Sequence, residues 1–95
     1  MSTIVQKYGG SSLATTSTLC DIAKRIANLY RDGNRLVIVV SAMGNTTDDL
    51  ITLAQNISST PHLREMDMLL STGELVSSAL LAIALNAEGI DAISL

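Results

Sequence analysis

Leu36-Val37-Ile38-Val39-Val40 is an unbroken aliphatic run, β-branched after its first residue and without a polar position along it. β-branched side chains favour strands, and a strand that does not alternate is the pattern of one covered on both faces in a parallel sheet. Just upstream, Asp32-Gly33-Asn34 punctuates the chain, and before it Leu19, Ile22, Ala23, Ile26, Ala27 and Tyr30 recur at spacings of three and four. That stripe predicts an amphipathic helix, with Thr16, Ser17 and Thr18 as cap candidates, Asp21 in the first turn and Gly33 at the end. Further upstream, residues 3–8 read as a first strand. Strand, helix and strand make one right-handed crossover unit.

Downstream, Ser41-Ala42-Met43-Gly44-Asn45 is a glycine-bearing turn. Thr46 and Thr47 then cap a helix with Asp48 and Asp49 in its first turn and Leu50, Leu53, Ala54 and Ile57 on one face, stopping near Ser58. Pro61 opens a third helical stretch that is expected to bend at Ser71-Thr72-Gly73 and continue from Glu74 to about Asn86. Residues 75–85 are apolar almost all round, so this helix calls for cover on more than one side. Gly89 ends it, and Ala92-Ile93-Ser94-Leu95 is expected to begin a third strand.

The 95 residues suffice for one small domain. Hydrophobic residues make up 47% of the chain, with no Trp, no Phe and only Tyr8 and Tyr30 as aromatics, so the core is aliphatic. The net charge is −3 and the six basic residues are scattered, which argues against a nucleic-acid surface or an acidic membrane as partner. A small anion needs one local positive site only. The single Cys20 forms no internal disulfide, and without a charged-then-apolar leader the expected location is cytoplasmic. The longest apolar stretch, 79–85, falls short of the roughly 20 residues that cross a bilayer.

Lys7-Tyr8-Gly9-Gly10-Ser11-Ser12 stands where the first strand ends. Two residues without a Cβ allow a sharp turn with positive φ and bring backbone N–H groups close to an anion, and Lys7 adds a fixed cation. The following helix would add the positive end of its dipole. In an open parallel sheet, ligands sit beyond the carboxyl ends of the strands, so this turn, Ser41, Gly44 and the helix start at Thr46 and Thr47 can share one crevice.

Each residue also has a plainer reading. Lys7 can be a solvated strand-end lysine, Ser41 a turn hydroxyl, Thr46 and Thr47 simple caps, and Glu74 an ordinary first-turn acid. Cys20 reads as a small core residue, His62 has no second ligand with which to share a metal, and Met43, Met66 and Met68 read as packing residues. The loop is neither a Walker A motif nor a Gly-x-Gly-x-x-Gly fingerprint, because its lysine precedes the glycines.

Residues 7–12 resemble the opening signature of the aspartate kinases, within the amino-acid-kinase fold. Val40-Ser41-Ala42-Met43-Gly44-Asn45-Thr46-Thr47-Asp48 and Arg64-Glu65-Met66-Asp67-Met68-Leu69-Leu70-Ser71-Thr72-Gly73-Glu74 resemble that family in the same order and spacing. The resemblance implies a three-layer α/β/α fold with a mainly parallel sheet, of which residues 1–95 would be an incomplete N-terminal portion without the regulatory ACT domains. It implies transfer of the ATP γ-phosphoryl group to the side-chain carboxylate of L-aspartate, giving 4-phospho-L-aspartate on the way to lysine, threonine and methionine, with Mg2+ accompanying the nucleotide. By motif position, Lys7, Tyr8, Gly9, Gly10, Ser11 and Ser41 would hold the ATP phosphates, Lys7 as the catalytic cation. Thr47 and Glu74 would contact aspartate, and no residue is assigned to a metal. The isolated chain is expected to be inactive and to need the missing C-terminal half, or a homo-oligomer partner, with no nucleic acid and no membrane. The competing expectations are a non-catalytic anion- or nucleotide-binding module and an assembly piece associating through residues 75–85.

Overall fold

The computed structural model describes residues 2–95. Its elements run β1 (Thr3–Tyr8), α1 (Thr16–Arg31), β2 (Arg35–Val40), α2 (Thr46–Ile57) and α3 (Leu63–Ala87). β1 and β2 pair in parallel from Thr3 opposite Arg35 to Tyr8 opposite Val40, so the expected strand–helix–strand unit is present.

The core lies between α1, α3 and one face of this two-stranded sheet. Leu19, Ile22, Ala23, Ile26 and Ala27 of α1 meet Leu81, Leu85 and Ile90, with Tyr8, Leu36, Ile38 and Val40 packed against them. The opposite sheet face, carrying Val5, Val37 and Val39, is exposed. β2 was expected to be covered on both faces. Within the described residues it alternates, because both packed helices lie on one side of it, so two of the three α/β/α layers are built here.

Both helices that border the core end on glycine. Gly33 (φ +95°) follows α1, where its N–H donates to the Tyr30 carbonyl and the Asn34 side-chain amide donates to the Leu29 carbonyl at 2.9 Å. Gly89 (φ +83°) follows α3 in a full Schellman arrangement: its N–H donates to the Asn86 carbonyl, and that of Ile90 to Leu85. Arg31 donates to the Glu88 carbonyl at 2.5 Å, bringing a cation from α1 to the negative end of α3, whose own last turn holds no basic residue.

Several local expectations change, among them Thr46 and Thr47, which lie inside α2 behind its Asn45 cap, and Met68, which is exposed and not a packing residue. The cap of α1 is Thr15, in a reciprocal capping box with Thr18, and Asp21 lies beyond the first turn. α3 does not bend at Ser71-Thr72-Gly73; the hydroxyls of Ser71 and Thr72 donate to the carbonyls of Met68 and Leu69, staying within the helix. Residues 92–95 form no strand. The Ala92 N–H is taken by the Asn86 side-chain oxygen at 3.2 Å instead of by a neighbouring strand. Cys20 is exposed, not part of the core.

Among the described residues, α3 alone is long and apolar enough to cross a membrane by length and composition. Here it is the central strut of the molecule: it contacts α1, α2 and β2, and it buries Gly73, Ser77, Leu81 and Leu85.

Candidate functional site

Because β1 and β2 end in register, two loops leave the same edge of the sheet. The ladder extends one step further, the Ser41 N–H donating to the Tyr8 carbonyl at 3.2 Å. The first loop then closes a tight turn, with the Leu13 N–H on the Gly10 carbonyl at 3.1 Å, and drops the Leu13 side chain into the core. The same Gly10 carbonyl accepts the Gly44 N–H from the second loop at 3.3 Å. One acceptor thus ties both loops together.

The two loops lie in van der Waals contact at these glycines. A Cβ on Gly10 would lie 3.4 Å from the Ala42 carbonyl oxygen, and one on Gly44 would lie 3.4 Å from that of Ala14. The positive φ expected at Gly9 or Gly10 belongs to Gly44, at +46°, and a Cβ on Gly9 would meet nothing within 4 Å. Gly9 is therefore open to whatever occupies the crevice, while Gly10 and Gly44 form the joint.

The two helix starts differ. Residues 9–15 separate β1 from α1, and the first amides of α1 are consumed locally, Thr18 N–H by the Thr15 hydroxyl and Leu19 N–H by the Thr15 carbonyl. Five residues, 11–15, thus stand between Gly10 and the first residue of α1. α2 has Asn45 as its cap without a side-chain hydrogen bond, but Asp48 and Asp49 sit in its first turn. Two carboxylates there offset the positive end of the α2 dipole.

The third motif arrives on α3. Gly73 is buried, and a Cβ there would lie 3.0 Å from the Ala42 Cβ and 3.2 Å from the Thr46 Cγ2. The second loop is thereby held on one side by the first loop and on the other by α3. Glu74 sits in the middle of α3, not in a first turn, and is exposed into a groove of about 670 Å³ along the free edge of β2, with Val39, Ser71 and Leu75 beside it.

Lys7 is exposed on the open sheet face, Ser11 and Thr47 are exposed, and Ser41 is half-buried. Tyr8 points to the covered face, its hydroxyl donating to the Gln6 side-chain oxygen at 2.8 Å, so only its backbone faces the loops. The loop residues, Ser41 and the start of α2 are brought together directly. Lys7 and Glu74 stand on different elements, and β2 is the element that touches both. No group of three His, Cys, Asp or Glu gathers among the described residues.

Three contributors escaped the sequence reading. Leu13 anchors the first loop, Ala42 is the surface on which Gly73 closes, and His62 caps α3 by accepting the Arg64 N–H on Nδ1 at 3.3 Å. The Thr15-x-x-Thr18 spacing carried the capping signal, but nothing local marks Ala42.

The model of the amino acid kinase family matches residues 2–95. The chain is 53% identical over 95 residues to an aspartokinase of Geobacillus stearothermophilus and 52% identical over 94 residues to one of Bacillus sp. (strain MGA3). It spans 23% of the length of each. The crystal structure of aspartate kinase from Synechocystis superimposes with a TM-score of 0.89 at 56% identity, covering 90% of this chain and 15% of that one.

Proposed function

Because the chain belongs to the amino acid kinase family, we propose that it is the N-terminal portion, residues 1–95, of an aspartate kinase and supplies one wall of that enzyme's active site. The observation that carries this reading is the meeting of all three motif segments on the second loop, through Gly10, Gly44 and Gly73. In the reaction, a side-chain carboxylate oxygen of L-aspartate forms a bond to the γ-phosphorus of ATP as the bond from that phosphorus to the β,γ-bridging oxygen breaks, and ADP departs. A carboxylate is already a nucleophile, so no general base is required. The protein's part is to hold two anions in line and to offset the charge between them.

Lys7, with the backbone of Tyr8, Gly9, Gly10 and Ser11 and the hydroxyl of Ser41, would hold the phosphates. Thr47 and Glu74 would hold aspartate, Glu74 facing its α-ammonium. ATP brings the transferable phosphoryl group, and Mg2+ would be held by its phosphates and by residues outside this chain. A cytoplasmic location suits those substrates. A free-standing anion-binding module is less well supported, since the family match runs through the whole chain.

Two variants of the intact enzyme test this. Lys7→Ala is expected to lower kcat by roughly 10²–10³-fold, as loss of a transition-state electrostatic contact does. Glu74→Gln is expected to raise the KM for aspartate about 10–100-fold, the scale of one charged hydrogen bond, while that for ATP holds. An unchanged aspartate KM in Glu74→Gln would sink the assignment. The 95-residue chain alone is expected to show no aspartate-dependent ATP turnover and to gain it when the remaining chain is supplied.

A further inference from the structure

We propose that Gly73 is a positioning residue for the aspartate side of the site: its missing side chain sets how closely α3 closes on the second loop, and so the separation between Glu74 and Thr47. This rests on the reading of those two residues as aspartate contacts. The two nearest groups facing Gly73 cannot swing away. Across from Gly73 stand the Ala42 Cβ, 3.0 Å from where its own Cβ would be, the Thr46 Cγ2 at 3.2 Å and the Leu50 Cδ1 at 3.8 Å. Ala42 has no rotamer through which to yield, and the β-branched Thr46 is stiff at χ1.

Gly73 is not there for backbone freedom. It lies within α3 at helical φ, where glycine costs about 1 kcal/mol relative to alanine, so its benefit lies in the contact. One turn later Ser77, fully buried, donates its hydroxyl to the Gly73 carbonyl at 3.1 Å and fixes that carbonyl from the core side. Glu74 is the next residue in the same rigid helix, and Thr47 follows Thr46 directly. A methyl group in the gap therefore shifts α3 and Thr46 apart by a few tenths of an ångström and carries the Glu74–Thr47 spacing with it, and misplacement of a substrate is costly.

The test is a graded series in the intact enzyme. Gly73→Ala is expected to raise the KM for aspartate about tenfold while leaving that for ATP within about twofold. Ala42→Gly/Gly73→Ala removes the 3.0 Å contact and keeps the one to Thr46, so an intermediate KM, about threefold raised, is expected. Adding Thr46→Ser, which removes the second methyl and keeps the hydroxyl, is expected to return it to within about twofold of the parent. A merely structural role would lower the active fraction, reducing apparent kcat with both KM values unmoved, and that result overturns the proposal. So do equal rises in both KM values or a series without this order. Should Gly73→Ala fail to fold, the double and triple variants still decide: equal aspartate KM values in the two overturn it. Glu74→Gln separates the two levels. If that variant leaves the aspartate KM unchanged, the underlying reading fails; if it raises the KM while Gly73→Ala does not, only the positioning role fails.

Discussion

Gly44 holds φ at +46°, in the left-handed region that favours glycine, where the second loop lies against the backbone of Ala14. An L-residue in this left-handed region costs about 1–2 kcal/mol. Gly44→Ala is thus expected to destabilise the 95-residue chain by at least about 1 kcal/mol in urea denaturation. Gly9→Ala is expected to be close to neutral, since a Cβ there meets nothing within 4 Å and φ is not positive. Sequence reading identified glycines as the important residues of both turns, but it could not say which one needs the unusual dihedral. That depends on where the opposite loop passes, a long-range fact that no local spacing encodes. Ala42 escaped notice for the same reason: its importance comes from Gly73, a residue far along the chain.

Among the elements, local signals were read well and competing ones less so. β1 has the bounds expected from its apolar run, and β2 begins one residue earlier, at Arg35. α1 begins at Thr16, but of several adjacent hydroxyls only Thr15 has the Thr18 partner three residues on. Thr15→Ala is expected to cost about 1 kcal/mol, seen as a lower midpoint in thermal denaturation followed by circular dichroism. The bend expected in α3 rested on three weak helix formers in a row, and packing along the whole helix outweighed them. α2 shows the reverse. Its apolar residues predict a buried face, yet none of its residues is fully buried, and Leu53 and Ile57 are exposed because α2 touches only α3 to any extent. The third strand was read from a run of four residues. A strand needs a ladder, and the edge of β2 remains unpaired among the described residues.

The molecule as a whole is open. Its radius of gyration is 15.3 Å, whereas a compact chain of this length has one of about 12 Å. Its accessible surface is 6388 Å², against about 5,200 Å² for a free monomer of the same mass. Much of the difference is apolar, including Val5, Val37 and Val39 at 66%, 52% and 45% exposure on the bare sheet face and Val76 and Ile83 on α3. Such a surface calls for cover. The isolated chain is accordingly expected to self-associate and to bind a hydrophobic dye, and Val37→Lys to reduce both; sedimentation velocity and dye fluorescence check this. A monodisperse monomer without dye binding would contradict it.

The hydrogen bond from Arg31 to the Glu88 carbonyl joins residues 57 apart, and the apolar face of α1, Leu19 to Ala27, lies 54–71 residues before its partners Leu81, Leu85 and Ile90. On a ribosome adding about 5–20 residues per second, α1 waits roughly 3–14 s for those partners to be made. α1 therefore emerges well before it can be covered, and over that interval Leu19, Ile22 and Ile26 are accessible to any chaperone at the tunnel exit.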